Sequence, residues 1–220
     1  MRTPAAPTQA IEDYLKVAFK LSSRGGTATV SGMAKRLNVS APSVTNMVKK
    51  MKAMGLVEHS PYAALTLTPK GARIALEIIR HHRLWELYLA KRLGLPLHAV
   101  DAEAEKLEHV MSDAVEDRMV ELLGDPGEDP HGDPIPTKDG VLKAGPDGRK
   151  LSELKQGEKA VVAHISDRNP GHLKTMTNAG LLPGTRLTLI KHAGATELEL
   201  KIGSKKRLLS KAVADLVRVV

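Results

Sequence analysis

Two short stretches carry side chains that could hold a metal ion: His82-x-x-x-Glu86 and Glu105-x-x-Glu108-His109. Helix positions three and four apart lie within about 100° of one another, so each stretch presents its donors on one face. Asp13 is the one further acid with a route to them, through a first helix laid against this pair. The donors are carboxylate oxygens and imidazole nitrogens, and the chain has no cysteine. That set suits borderline-hard divalent ions such as Mn²⁺ and Fe²⁺. It excludes thiolate metal sites, a disulfide framework and a cysteine nucleophile. Glu and His at helical spacing also line solvated faces that bind nothing, so spacing alone leaves both readings open. His172, in Arg168-Asn169-Pro170-Gly171-His172, joins the candidates as part of a loop that could reach back to a metal. His59, His98 and His131 read as solvated.

A second kind of chemistry sits earlier in the chain. Ser40, Pro42, Ser43, Thr45 and Asn46 open a helix that a tight Asn38-Val39-Ser40 link joins to the helix before it. In a helix–turn–helix the second helix enters the major groove with its N-terminal side chains on base edges. Asn can bond adenine at two points, hydroxyls can bond either base type, and apolar surface can meet a thymine methyl. Lys49 and Lys50, further along, would meet phosphates, which position rather than specify. No Ser/His/Asp arrangement, Walker-type loop or dinucleotide fingerprint is present, so no enzyme activity is expected.

The elements that must position these residues follow from periodicity and punctuation. Residues 9–23 read as a helix stopped by Gly25-Gly26, residues 30–37 as a second and residues 41–54 as a third, with Ser40 as N-cap and Gly55 as stop. Two short strands, Leu56–His59 and Leu65–Thr68, flank a turn at Ser60-Pro61. The sum is a winged helix–turn–helix. Residues 69–93 and 97–123 read as two long helices, and 124–148, rich in Gly, Pro and Asp, as a linker without a core. Residues 151–220 hold four β-rich runs, at 160–165, 186–190, 197–202 and 216–219, which suggest a small barrel. The fold class is mainly α with small β.

Charge is unevenly spread along the 220 residues. Residues 1–70 hold 10 Lys/Arg against 3 Asp/Glu, residues 71–140 hold 8 against 15, and residues 141–220 hold 15 against 7. A basic head suits a polyanion such as DNA, and an acidic middle suits a cation. Aromatic residues make up 2% of the chain, too few for a stacking platform for single strands. No apolar run approaches the ~20 residues of a membrane span. The opening MRTPAAPTQA lacks a signal peptide's apolar core, so a cytoplasmic protein is expected.

Several motifs carry a resemblance. They are Glu12-Asp13-Tyr14-Leu15, Val39-Ser40-Ala41-Pro42-Ser43-Val44-Thr45 and Leu67-Thr68-Pro69-Lys70-Gly71. His82-Arg83-Leu84-Trp85-Glu86, Glu105-x-x-Glu108-His109-Val110-Met111-Ser112 and Gly132-Asp133-Pro134-Ile135-Pro136 continue the series. Leu151-Ser152-Glu153-Leu154 and Gly180-Leu181-Leu182-Pro183-Gly184 complete it. Over nearly its whole length the chain resembles the diphtheria-toxin-repressor family of metal-dependent transcription regulators. The resemblance implies a winged helix–turn–helix over 1–71, a helical dimerisation and metal-binding domain over 72–136, a linker over 137–150 and an SH3-like (FeoA-like) barrel over 151–220.

It further implies a homodimer through the middle helices and a roughly palindromic double-stranded operator, with no membrane partner. Its primary metal site maps to Asp13, Glu105, Glu108 and His109, joined by His82 in manganese-type members. Iron-type members carry sulfur where this chain has Asp13 and Glu105, which moves the preference toward Mn²⁺ with Fe²⁺ possible. Its ancillary site maps to His82, Glu86 and Asp101, with barrel residues near Asn169 and His172. His82 cannot freely serve both sites. Manganese-type members often place a second carboxylate one turn after Asp13, where this chain has Lys16. An ammonium cannot ligate, which argues against a bridged two-metal site of that type; a pairing of Lys16 with a site carboxylate is one role for it. The implied function is metal-driven repression of manganese or iron homeostasis genes. The alternatives are a carboxylate–histidine metalloenzyme, which needs four contributing helices, and a winged-helix regulator that ignores metal.

Overall fold

The computed structural model describes residues 7–23, 26–60, 64–145, 147–167 and 169–220. Gly25 of the expected helix stop, Pro61 of the expected turn and Arg168 of the expected loop lie outside the described residues. The chain divides into two compact units: residues 1–81 with 136–141, and residues 82–135 with 142–220.

The first unit opens with helix α1 (Gln9–Ser22), which buries Ile11, Leu15 and Ala18. Helix α2 (Val30–Leu37) starts at Thr29, whose Oγ1 accepts from the Gly32 N–H at 3.0 Å, and ends at Asn38 in the left-handed conformation. Asn tolerates that conformation better than most residues, which makes the link to the next helix tight. Helix α3 (Ala41–Ala53) is capped by Ser40, with Pro42 in its first turn. Val44, Val48 and Met51 recur at helical spacing and turn one face of α3 into a core shared with Leu15, Met33 and Leu56. The opposite face is left outward.

Strand β1 (Val57–Glu58) pairs antiparallel with β2 (Thr66–Leu67), completing the winged helix–turn–helix. Thr68 then joins wing to helix: its N–H donates to Leu56 O, and its Oγ1 accepts from the Gly71 N–H at 3.1 Å. A Cβ at position 71 would meet Leu56 O at 2.0 Å, so only glycine lets helix α4 (Pro69–Lys91) start this close to the wing.

In the second unit, helix α5 (Leu97–Leu107) passes into a 3₁₀ turn (Glu108–Val110), and helix α6 (Asp113–Leu123) follows. The single helix expected over 97–123 is thus broken. Ser112 adopts extended backbone (ψ 155°) and its side chain accepts from the Val115 N–H, while Asp113 and Glu116 favour a new helix N-terminus.

The coreless linker expected over 124–148 is also corrected, because Asp129, His131 and Ile135 are buried. At Gly132 the backbone has φ +92°, and a Cβ there would lie 2.2 Å from Ala163 O. Glycine therefore permits the loop to lie directly on the end of β4, where Ile165 N–H donates to His131 O at 3.0 Å.

That sheet has six antiparallel strands in the order β3-β8-β4-β5-β6-β7. They are β3 (Arg149–Lys150), β4 (Lys159–Ile165), β5 (Arg186–Ala193), β6 (Glu197–Ile202), β7 (Lys205–Ser210) and β8 (Val217–Val219). Helices α7 (Pro170–Ala179) and α8 (Lys211–Ala214) lie between strands in sequence. Alternate residues such as Val162, Leu187, Leu189, Leu198, Leu200 and Leu209 face one core with Leu173 and Met176 of α7. The four strand runs read from sequence are present; β3, β7 and α7 were not read.

Candidate metal centre

His82 and Glu86 are four residues apart on α4, and both are almost fully buried. The α5 helix brings Asp101 and Glu105 to the same place from one face, and the 3₁₀ turn adds Glu108 and His109. The His82 ring stands between these groups. Its Nδ1 lies 2.5 Å from Glu108 Oε2 and 3.7 Å from Glu105 Oε2. Its Nε2 lies 3.4 Å from Asp101 Oδ1 and 3.5 Å from Glu86 Oε1. Glu108 is fully buried, and its other oxygen is 3.4 Å from His109 Nε2.

Burial, the largest single effect on His82, favours the neutral ring. Asp101, Glu108 and Glu86 together outweigh it and hold its pKa well above the ordinary value. Protonated His82 is therefore the cation that neutralises these acids. A divalent ion among the same oxygens would do so more strongly, and would need the ring neutral to use its nitrogen.

A second grouping joins the first through Glu86. His131 Nδ1 is 3.7 Å from Glu86 Oε1 and 3.9 Å from Asp129 Oδ1, and all three residues are buried. Asp129 Oδ1 accepts from the backbone N–H of His131 at 2.8 Å and of Asp133 at 3.0 Å, which folds the loop into a tight turn. Arg83 holds that turn from α4, with Nη1 donating to Pro134 O and Nε 3.6 Å from Asp129 Oδ2. Burial first, and the Glu86 charge second, push the Asp129 carboxyl up to about 7.

Within the second unit three triads place one ligand atom each within 4.8 Å of the others: His82/Glu105/Glu108, His82/Glu86/Asp101 and Glu86/Asp129/His131. The donor atoms themselves fit a cation. His82 Nε2, Glu86 Oε1 and both ring nitrogens of His131 are buried and make no hydrogen bond. A buried polar atom without a partner costs about 1–3 kcal/mol, and three of these, His82 Nε2, Glu86 Oε1 and His131 Nδ1, are neighbours through Glu86.

The structure thus brings together His82, Glu86, Asp101, Glu105, Glu108 and His109. Asp13 lies on α1, in the first unit, half-buried. Lys16, on the same helix, is buried. His172 does not join: it sits exposed in the first turn of α7, where its N–H donates to the Asn169 cap, so the expected loop is a helix start. His131, expected to be solvated, is fully buried. Asp129 and His131 were missed; the signal available was Asp129-x-His131-x-Asp133, whose alternation a turn can gather.

On α3, Ser40, Pro42, Ser43, Asn46, Lys49 and Lys50 are exposed on the face opposite the core. Thr45 is half-buried and donates its hydroxyl to Ala41 O at 3.0 Å, leaving its oxygen as an acceptor. Ser40 and Ser43 bond each other at 2.8 Å.

Comparison with known proteins covers nearly the whole chain. Residues 7–65 match the family described as "Iron dependent repressor, N-terminal DNA binding domain". Residues 68–137 match "Iron dependent repressor, metal binding and dimerisation domain", and residues 149–220 match the FeoA domain. The chain is 36% identical to the diphtheria toxin repressor of Corynebacterium glutamicum over 195 residues, 83% of this chain and 84% of that one. It is 33% identical to the iron-dependent repressor IdeR of Mycobacterium tuberculosis over 222 residues, 94% of this chain and 95% of that one. Among solved structures, a manganese-dependent transcriptional repressor in complex with manganese superimposes with a TM-score of 0.85 at 35% identity, covering 96% of this chain and 99% of that one. ScaR with bound Cd²⁺ gives 0.75 at 30% identity, covering 97% and 99%.

Proposed function

This chain belongs to the iron-dependent repressor family, metal-dependent DNA-binding transcriptional repressors rather than enzymes, and from that premise we propose that Mn²⁺ is its preferred effector, with Fe²⁺ a weaker one. The observation that carries the preference is the donor set: oxygen and imidazole nitrogen surround His82, and the chain has no cysteine. The manganese complex among its relatives supports the same choice.

We assign Glu105, Glu108 and His109 to the activating site, with His82 Nδ1 and, from α1, Asp13. Asp101, 3.4 Å from His82, stands at the border of that site, and Glu86, Asp129 and His131 form a second one. The bound ion supplies two positive charges among carboxylates. The residues do the rest. His82 gives up its proton, Glu105 and Glu108 cease to repel Asp13, and α1 is held so that the two recognition helices of a homodimer keep one spacing. Each then meets a half-site of a roughly palindromic operator through Ser40, Pro42, Ser43, Thr45 and Asn46, with Lys49 and Lys50 on phosphates. Val110, Val115 and Leu122, apolar and exposed, support a dimer through this region. Control of manganese or iron homeostasis genes follows from the effector.

The test is DNA affinity by fluorescence anisotropy with and without Mn²⁺. Linkage requires DNA to tighten metal binding by the factor by which metal tightens DNA binding. Equal affinities in both conditions would remove the switch, and stronger activation by Fe²⁺ would remove the preference.

A further inference from the structure

The barrel's sheet buries one face in its core and turns the other outward, and the outward face carries cations side by side. Lys159 on β4 pairs with Thr188 on β5, Thr188 with Lys201 on β6, and Lys201 with Lys206 on β7. Cross-strand partners share a face, so the row is Lys–Thr–Lys–Lys across four strands. Arg186 stands beside it, opposite Val161. Like charges placed directly opposite, as Lys201 and Lys206 are, destabilise a sheet, so folding alone gives no reason for them. Glu199 takes up Lys206 at 3.3 Å and Lys191 at 3.7 Å. Lys159, Arg186 and Lys201 are exposed, and no described residue forms an ion pair with them. They border an open cavity of about 350 Å³ that Thr188, Gly203 and Val220 also line.

We infer that this face binds the phosphate backbone of duplex DNA as a second, sequence-independent contact in addition to that of the recognition helix. Strands lie about 4.8 Å apart, so the row is about 14 Å long. A single phosphate would meet two of these cations at most, whereas a run of backbone phosphates meets them all. The protein already binds DNA through its first unit, so this polyanion is at high effective concentration near the barrel whenever the repressor is bound. Ammonium groups spaced along the row match the repeat of backbone phosphates, which position rather than specify. The inference rests on DNA binding by this family but not on which ion activates it.

The experiment measures affinity of the full chain, saturated with Mn²⁺, for a labelled mixed-sequence duplex of about 40 base pairs, long enough to extend past two half-sites. Affinity is followed against salt for wild type, for Lys159→Ala/Arg186→Ala/Lys201→Ala and for Lys49→Ala/Lys50→Ala. Each lost phosphate contact flattens the salt slope by about 0.9, so the triple variant should lose about 2 to 3 from the slope while Mn²⁺ dependence persists. An unchanged slope overturns the inference. A parallel titration with polyglutamate separates the partners: if the triple variant loses polyglutamate binding and keeps its DNA salt slope, the partner is an acidic protein and the inference is overturned. If Lys49→Ala/Lys50→Ala leaves the slope unchanged, the recognition-helix assignment fails and the barrel contact stands or falls by its own variant. Should the triple variant unfold, Lys201→Gln alone must still cost about 0.9 of slope.

Discussion

The two metal-ligand groupings of the second unit differ in what stands around them. The His82 grouping has buried donors, His82 and Glu108, but also Asp101 and Glu105, whose side chains are 55% and 51% exposed. Its central histidine already carries the compensating charge. The Glu86–Asp129–His131 grouping is buried throughout, and both ring nitrogens of its histidine lack a hydrogen bond. The first can exchange an ion with solvent at modest cost. The second would enclose an ion fully, and its loop is held by Arg83 and by the end of β4. A sensing site needs exchange and a structural site needs retention, and the contrast supports the activating role proposed for the first grouping.

The largest effect should come from Glu108→Ala. It removes the buried carboxylate 2.5 Å from His82 and should lower the apparent Mn²⁺ affinity, read from activated DNA binding, by about 100-fold or more, since even outer-shell changes cost 10–100-fold. A loss below tenfold would mean the sensing role lies elsewhere. Next is pH. His82 must lose a proton held more tightly than usual, and Asp129 titrates at about 7, so Mn²⁺ affinity should rise from pH 6 to pH 8 by about tenfold per unit per displaced proton. Calorimetry in buffers of different ionisation enthalpy would count the protons, and a flat profile would contradict both assignments. Asp129→Ala should act differently. It leaves the His131 and Asp133 N–H groups without their acceptor and should cost about 2 kcal/mol of stability by thermal melting, with DNA binding at saturating Mn²⁺ changed little. The smallest effect belongs to Asp101→Ala, at the exposed border, where a shift of a few-fold in Mn²⁺ affinity is expected.

The same contrast explains what the sequence reveals. Helix spacing puts His82 with Glu86 and brings Glu105 near Glu108 and His109, but spacing alone left a solvated face open, and the motif resemblance singled the set out as ligands. The helix–turn–helix is legible because Ser40, Pro42 and Gly55 punctuate α3 and Val44, Val48 and Met51 keep its period. Asp129 and His131 sit on a loop whose burial comes from Arg83 and from the β4 edge, far away in sequence, so local composition reads as linker. The break at Ser112 is hidden because the apolar residues on both sides keep a helical rhythm. Helix α7 is hidden because Pro170-Gly171 reads as a turn, although Pro suits a first helical turn.

The absence of sulfur from the ligand set has a further result. Peroxide converts thiolates to sulfenic acids and thioethers to sulfoxides, and it finds neither among these carboxylates and imidazoles. Carboxylate and imidazole donors would keep their ligand atoms through an oxidant challenge that converts sulfur donors.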